Sequence, residues 1–231
     1  MDGSLPLWRR AGAEALAAFA LVFAGCGAVV ANQKYDGALG SVGVSLVFGL
    51  VIMVMIYATG HLSGAHINPA VTIAFTVTRH FSPRDAVAYI AAQLAGATAG
   101  ALVLLAVWSD KPAHLGATVP SVAAGSAFLY ELVLSAFLMF VIIAVATDTR
   151  AVGAAAAIAI GGTVGLDALF GGAVTGASMN PARSFGPALV TGTWTDFWVY
   201  VAGPLLGAAL GALAYQLIRG DMRAPAGAHR G

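Results

Sequence analysis

Six stretches of twenty residues or more run almost without formal charge: Ala11–Ala31, Leu39–Gly60, Ala86–Ser109, Ser126–Thr147, Ala151–Phe170 and Phe197–Ile218. About 20 apolar residues carry an α-helix across the hydrocarbon core of a bilayer. Only Glu14, Glu131 and Asp167 interrupt these windows. A water-soluble domain needs about a quarter of its residues charged to clothe its core. This chain has 9% charged against 59% apolar residues. It therefore reads as an all-α membrane protein of six transmembrane helices, a single domain over residues 1–231 with no room for an extramembrane domain. The first window is too long, and too marked by Glu14, for a cleavable signal.

Basic residues are placed unevenly. Arg9, Arg10, Arg79, Arg84, Arg150, Arg219, Arg223 and Arg230 fall at the termini and after spans two and four, whereas Lys34 and Lys111 occupy the opposite loops. That asymmetry predicts a multi-pass cell-membrane protein with both termini in the cytoplasm. The remaining basic residue, Arg183, lies between spans five and six, where positive charge is otherwise scarce, and is a functional suspect. A net charge of +1 gives no basic surplus for nucleic acid. Cys26, the single cysteine, permits neither an intrachain disulfide nor a cysteine metal cluster and reads as a small buried side chain. No metal or other cofactor is called for.

The chain repeats itself. Gly64-Ala65-His66-Ile67-Asn68-Pro69-Ala70 returns as Gly176-Ala177-Ser178-Met179-Asn180-Pro181-Ala182, each after the second span of its half. Gly96 and Gly100 in span three match Gly207 and Gly211 in span six, and Glu14 matches Glu131. The repeats cover approximately residues 11–109 and 126–218. Each holds three spans, an odd number, so the second is inverted relative to the first. Ala70–Thr78 and Ala182–Val190 are apolar and helical in pattern but only about half a membrane long at 1.5 Å per residue. Asparagine is a good N-cap and proline a good first helical residue. Two reentrant half-helices entering from opposite faces would thus turn their positive ends toward the bilayer centre. Backbone that is not helical survives at that depth only inside protein or beside a wet cavity, and the cavity is the natural choice.

Ser63-Gly64-Ala65-His66-Ile67-Asn68-Pro69-Ala70-Val71-Thr72 and Gly176-Ala177-Ser178-Met179-Asn180-Pro181-Ala182-Arg183-Ser184-Phe185-Gly186-Pro187 make the chain resemble the major intrinsic proteins, the aquaporin and glycerol-facilitator family, from Ala13-Glu14 to the last span. The resemblance implies six tilted helices and two half-helices around a narrow pore, usually in a homotetramer with one pore per subunit. It places Asn68 and Asn180 in the pore as N–H donors to passing water; an oxygen turned toward them interrupts a proton-conducting wire. It places Arg183 at the outer constriction, the selectivity filter, with Phe48, Ala168 and Ala177 around it. Glu14 and Glu131 become scaffold residues bracing the segments before each half-helix, and His66 lines the cytoplasmic vestibule. The alternative for Arg183 is a structural arginine paired with Asp167 or Asp196.

Water-selective members typically carry histidine at the Ala168 position. Its absence leaves one wall of the filter small and apolar and implies passage of larger neutral solutes such as glycerol. Ser184 stands where dedicated glycerol channels usually carry aspartate, and Ala188 also follows the water-channel pattern. Val51–Tyr57 and Thr147–Gly153 resemble the nodulin-26-like branch, whose members often pass glycerol or metalloids. The expectation is a passive channel for water and small neutral solutes such as glycerol, not an enzyme. The alternatives are a strictly water-selective aquaporin, or a channel mainly for metalloid acids, urea or ammonia. A secondary transporter also uses inverted repeats, but the chain offers no coupling-ion site beyond the two scaffold-like glutamates. Gln93, Gly96 and Gly100, and likewise Gly203, Gly207 and Gly211, form helix stripes suited to close packing.

Overall fold

In the computed structural model, which describes residues 5–147 and 155–220, every regular element is helical. Helix α1 (Leu7–Leu21) passes through a π-turn (Val22–Cys26) into α2 (Gly27–Lys34). There follow α3 (Gly40–Ser63), the short α4 (Pro69–Val77), α5 (Pro83–Val107), a turn at Pro112–Gly116 and α6 (Ala124–Thr147). The chain continues through α7 (Ala156–Thr175), the short α8 (Pro181–Thr191) and α9 (Val199–Arg219). Among the described residues six helical runs are long and apolar enough to span a membrane: Leu7–Lys34, α3, α5, α6, α7 and α9. Five match the expected windows within a turn or so. The fifth runs to Thr175, one turn beyond the expected end at Phe170. Arg150, Arg223 and Arg230, which enter the charge asymmetry, lie outside the described residues, as do residues 148–153 of the Thr147–Gly153 stretch.

The distribution of polarity is inside-out by the standard of a soluble protein. Glu14, Thr72, Gln93, Glu131, Asp167, Thr175 and Ser184 are fully buried, whereas Leu46, Leu50, Leu129, Val133, Leu206 and Leu210 stand about half exposed on the outer surface. A bilayer rewards that arrangement because its tails are as apolar as leucine, while buried polar groups must find partners within the protein.

Glycines set the helix spacing. A methyl on Gly96 would lie 2.7 Å from the Ala15 carbonyl carbon, and one on Gly100 would lie 2.8 Å from the Phe19 oxygen, so α5 rests directly on α1. In the second half Gly207 and Gly211 meet Leu132 and Ala136 in the same way, seating α9 on α6. Between the halves α3 crosses α7 at Gly49 and Gly161, where each added methyl would stand 2.6–2.7 Å from the other's carbonyl oxygen. Ion pairs fasten the ends: Arg10 with Asp85 at 2.7 Å, and Lys34 with Asp110 at 2.7 Å. The ammonium of Lys34 holds the exposed Asp110 carboxyl below the usual carboxylate range.

Overpacking a tight interface costs about 1–3 kcal/mol. Gly207→Ala is therefore expected to lower the thermal stability of the detergent-solubilised protein by that order. Gly162→Ala, whose added methyl meets nothing within 4 Å, is expected to leave it unchanged or slightly raised. Size-exclusion recovery after heating distinguishes the two.

Candidate functional site

Two short non-helical segments, residues 64–68 and 176–180, lead into α4 and α8, and their conformations match residue for residue. Gly64, Ala65 and Ile67 have φ of 86°, 48° and 58°; Gly176, Ala177 and Met179 have 87°, 42° and 53°. Left-handed geometry at alanine, isoleucine and methionine is uphill and persists only where surroundings over-determine it. Here the surroundings are two buried carboxylates. Glu14 on α1 accepts from the Ser63 hydroxyl at 2.7 Å, the backbone N–H groups of His66 and Ile67 at 2.9 and 2.6 Å, and Gln93 Nε2 at 2.8 Å. Glu131 on α6 accepts from the Thr175 hydroxyl at 2.6 Å and the N–H groups of Ser178 and Met179 at 2.9 and 2.8 Å. Tyr89 and Tyr200 complete the match by donating to the carbonyls of Ser63 and Thr175, both at 2.7 Å. One member is missing from the second half: the place of Gln93 is taken by Pro204, which has no side-chain donor.

Asn68 and Asn180 then cap the half-helices from extended backbone, with Pro69 and Pro181 at the first helical positions. Asn68 Oδ1 accepts from Ala70 N at 2.8 Å, and Asn180 Oδ1 accepts from Ala182 N at 3.0 Å and Arg183 N at 3.3 Å. Such a cap is worth about 0.5–2 kcal/mol to its helix. Each side-chain amide also reaches across to the other half. Asn68 Nδ2 donates to the Met179 carbonyl at 2.8 Å, and Asn180 Nδ2 donates to the Ile67 carbonyl at 3.0 Å. The two helix N-termini are thereby locked tip to tip. An asparagine amide carries two N–H bonds, so one on each residue remains for something else. Sequence reasoning did not anticipate the cross-links, because a short-range cap motif gives no indication of what stands opposite it.

Both asparagines line a cavity of about 80 Å³ shared with Phe48, Ala65, His66, Ala168, Ala177 and Arg183. It is large enough to hold water. A second, wider cavity of about 550 Å³ opens beyond it. Phe48, Ala168 and Arg183 line both and so stand at their junction. Ala70 and Ala182 lie behind the lumen wall as buried packing residues. His66 lines the narrow cavity and packs against the rings of Phe75, Phe81 and Tyr89. The Thr72 hydroxyl lies 3.0 Å from the Asn68 carbonyl and 3.1 Å from His66 Nδ1, and it accepts from Gln93 Nε2 at 3.0 Å.

Arg183 is buried, and its Nη1 donates to the Gly116 carbonyl at 2.7 Å, with the Phe48 ring centroid 5.0 Å from the guanidinium carbon. Nε has no partner. No ion pair joins Arg183 to Asp167 or Asp196, which removes the structural alternative. Asp167 is fully buried on α7 with neither oxygen bonded. The residue that sequence reasoning missed is Gly116. It is presented by a turn in which Lys111, Ala113, His114 and Leu115 all have left-handed φ of 46–51°. Only Pro112 and Gly116 hinted at the turn, and neither indicates a carbonyl aimed at an arginine. Cys26 is buried beneath it, with Sγ 3.8 Å from the same oxygen. Among the described residues no cluster of His, Cys, Asp or Glu is arranged to hold a metal ion.

Substituting either glutamate by glutamine turns an amide N–H₂ toward donors that then lose their acceptor, a loss of about 1–3 kcal/mol per buried group. Glu14→Gln and Glu131→Gln are both expected to lower thermal stability by at least that amount. The loss is larger for Glu14, which serves four donors against three, and melting in detergent with a thiol-reactive fluorophore on Cys26 measures it.

A family described as Major intrinsic protein matches residues 3–215 of this chain. Among curated proteins, the chain is 46% identical over 216 residues to Aquaporin NIP1-1 of Oryza sativa subsp. japonica, covering 94% of this chain and 76% of that protein. It is 52% identical over 207 residues to Aquaporin NIP1-4 of the same organism, covering 90% and 76%. It is 45% identical over 216 residues to Nodulin-26 of Glycine max, covering 94% and 80%. Among solved structures, the X-ray structure of the aquaglyceroporin from Plasmodium falciparum superposes with a TM-score of 0.80 at 26% identity, covering 91% of this chain and 96% of that one.

Proposed function

The chain belongs to the major intrinsic protein family and is a passive membrane channel for water and small neutral solutes such as glycerol, and we propose that the junction of its two cavities is the selectivity filter that decides which solutes pass. In this reading Phe48 and Arg183 form one side of the filter and Ala168 and Ala177 the other. The observation that carries it is the position of Phe48, Ala168 and Arg183, shared by the narrow and the wide cavity. Phe48 offers a carbon backbone an apolar face, while the guanidinium N–H groups of Arg183 not given to Gly116 take hydroxyl or water oxygens. The two alanines leave room for a molecule wider than water.

Inside the filter, the free amide N–H of each asparagine would turn a passing water's oxygen toward the midplane, so that its hydrogens point outward on either side. The positive ends of α4 and α8 repel hydronium and metal cations at the same place. No site binds deeply, because a conducting pore must also release its cargo. Glu14 and Glu131 act as scaffold only, and His66 lines the mouth opposite the filter. We further propose that both termini face the cytoplasm, as the arginine distribution argues. The family to which the chain belongs supports assembly as a homotetramer in the cell membrane.

Stopped-flow light scattering from reconstituted vesicles tests the reading with water, glycerol, urea and a neutral metalloid acid as osmolytes. Water and glycerol are expected to pass; a response to water alone would replace the broad filter by a strict water channel. Ala168→His is expected to lower glycerol permeability about tenfold, a barrier of about 1.4 kcal/mol, with a smaller loss for water. Equal loss of both would count against Ala168 as a filter wall. A unit charge 4 Å from the path is worth about 4 kcal/mol at an effective dielectric of 20. Arg183→Val is therefore expected to raise proton or cation conductance in voltage-clamped bilayers by roughly ten- to a thousandfold.

A further inference from the structure

Gly25 lies in the π-turn of the first span, outside the lining of both cavities and directly behind the Phe48 ring. A methyl at Gly25 would stand 2.5 Å from Phe48 Cδ1 and 2.8 Å from Cζ, and closer still to Cε1. The three atoms nearest to that methyl all belong to the Phe48 ring. The Arg183 guanidinium carbon stands 5.0 Å from the centroid of the same ring. We infer that Gly25 is a specificity-determining positioning residue: its bare backbone is the seat that keeps the Phe48 ring back from the pore axis and so sets the width of the opening.

The argument turns on what can yield if the seat is filled. The first span cannot retreat, because a methyl on Gly100 would already lie 2.8 Å from Phe19 O and 3.1 Å from Phe23 N, and Gly116 is packed as tightly on Cys26. Nor can α3, since Gly49, next to Phe48, is pressed against the Gly161 carbonyl of α7. A phenylalanine ring turns about two side-chain bonds, and the free space on either side of this one is the narrow and the wide cavity it lines. A filled seat therefore drives the ring into the opening. The π-turn is what makes the seat: its widened turn brings a residue without a side chain beneath the ring, in keeping with the concentration of π-turns at functional places.

The inference rests on the reading of Phe48 as a filter wall, and four proteins tested together separate the two: the parent, Gly25→Ala, Phe48→Ala and the double variant. All are reconstituted, and water and glycerol permeabilities are measured on the same vesicles. With the ring driven into the opening, Gly25→Ala is expected to lower glycerol permeability roughly three- to tenfold, with water within about twofold. In the Phe48→Ala background the same substitution is expected to change neither. A parallel loss of water and glycerol, an unchanged ratio, or a glycerol loss that persists without the ring would overturn the seat. If Phe48→Ala itself leaves the glycerol-to-water ratio at the parent's value, the filter reading fails first and the seat has nothing to set. Should Gly25→Ala fail to fold, recovery of folded protein in the double variant supports the seat and continued failure refutes it.

Discussion

Backbone N–H groups cannot be left bare at the middle of a bilayer, and this protein leaves two non-helical segments there. The whole lumen follows from how that debt is met. Glu14 and Glu131 each gather consecutive backbone donors from one segment and hold the chain in left-handed turns that alanine, isoleucine and methionine would not adopt unaided. Held in that shape, each segment ends on an asparagine at the right place to cap a half-helix and to reach the facing carbonyl. The carboxylates do no chemistry on a solute. They make a wet, precisely lined passage possible where plain helices would have closed over it.

Much of this was legible in the residues. Six nearly uncharged windows announce six spans, because hydrocarbon tolerates little else, and the doubled asparagine–proline–alanine segments announce two half-helices, because cap chemistry is local. The limits of legibility are equally physical. The expected end at Phe170 fell short of the observed end at Thr175 because Gly171–Thr175 continues small and apolar, with no charge or proline to mark an edge before Gly176. The π-turn at Val22–Cys26 has no known local signature, and it decides which face of the first span meets Phe48. The Asn68–Met179, Asn180–Ile67 and Arg183–Gly116 bonds join residues between 67 and 113 positions apart. No short-range pattern encodes them.

The repeat is close in most of the contacts that support the chain, and it breaks at Arg183 and at two fully buried polar side chains, Gln93 and Asp167. Carboxylate, hydroxyl, tyrosine, cap and small-residue contacts recur at matching positions in both halves. Arginine does not: its counterpart in the first half is Val71. Gln93 has become Pro204, and Asp167 sits buried without a bonded oxygen where the first half has Met55. In the proposed reading a largely symmetric frame thus carries its filter on one side only.

The oxygen that steadies Arg183 belongs to the main chain of Gly116. Had it been a carboxylate, the guanidinium charge would have been neutralised, and a single codon change could have released it. A peptide carbonyl has no side chain to mutate, so residues 112–114 are open to replacement by anything that accepts their backbone turn, whereas Leu115 is fully buried in the core and is not. Lengthening or shortening that turn by one residue is a different matter: it carries the carbonyl away from the arginine whatever the inserted residue is. The hold on Arg183 is therefore robust to most substitutions within this turn and vulnerable to insertions and deletions there.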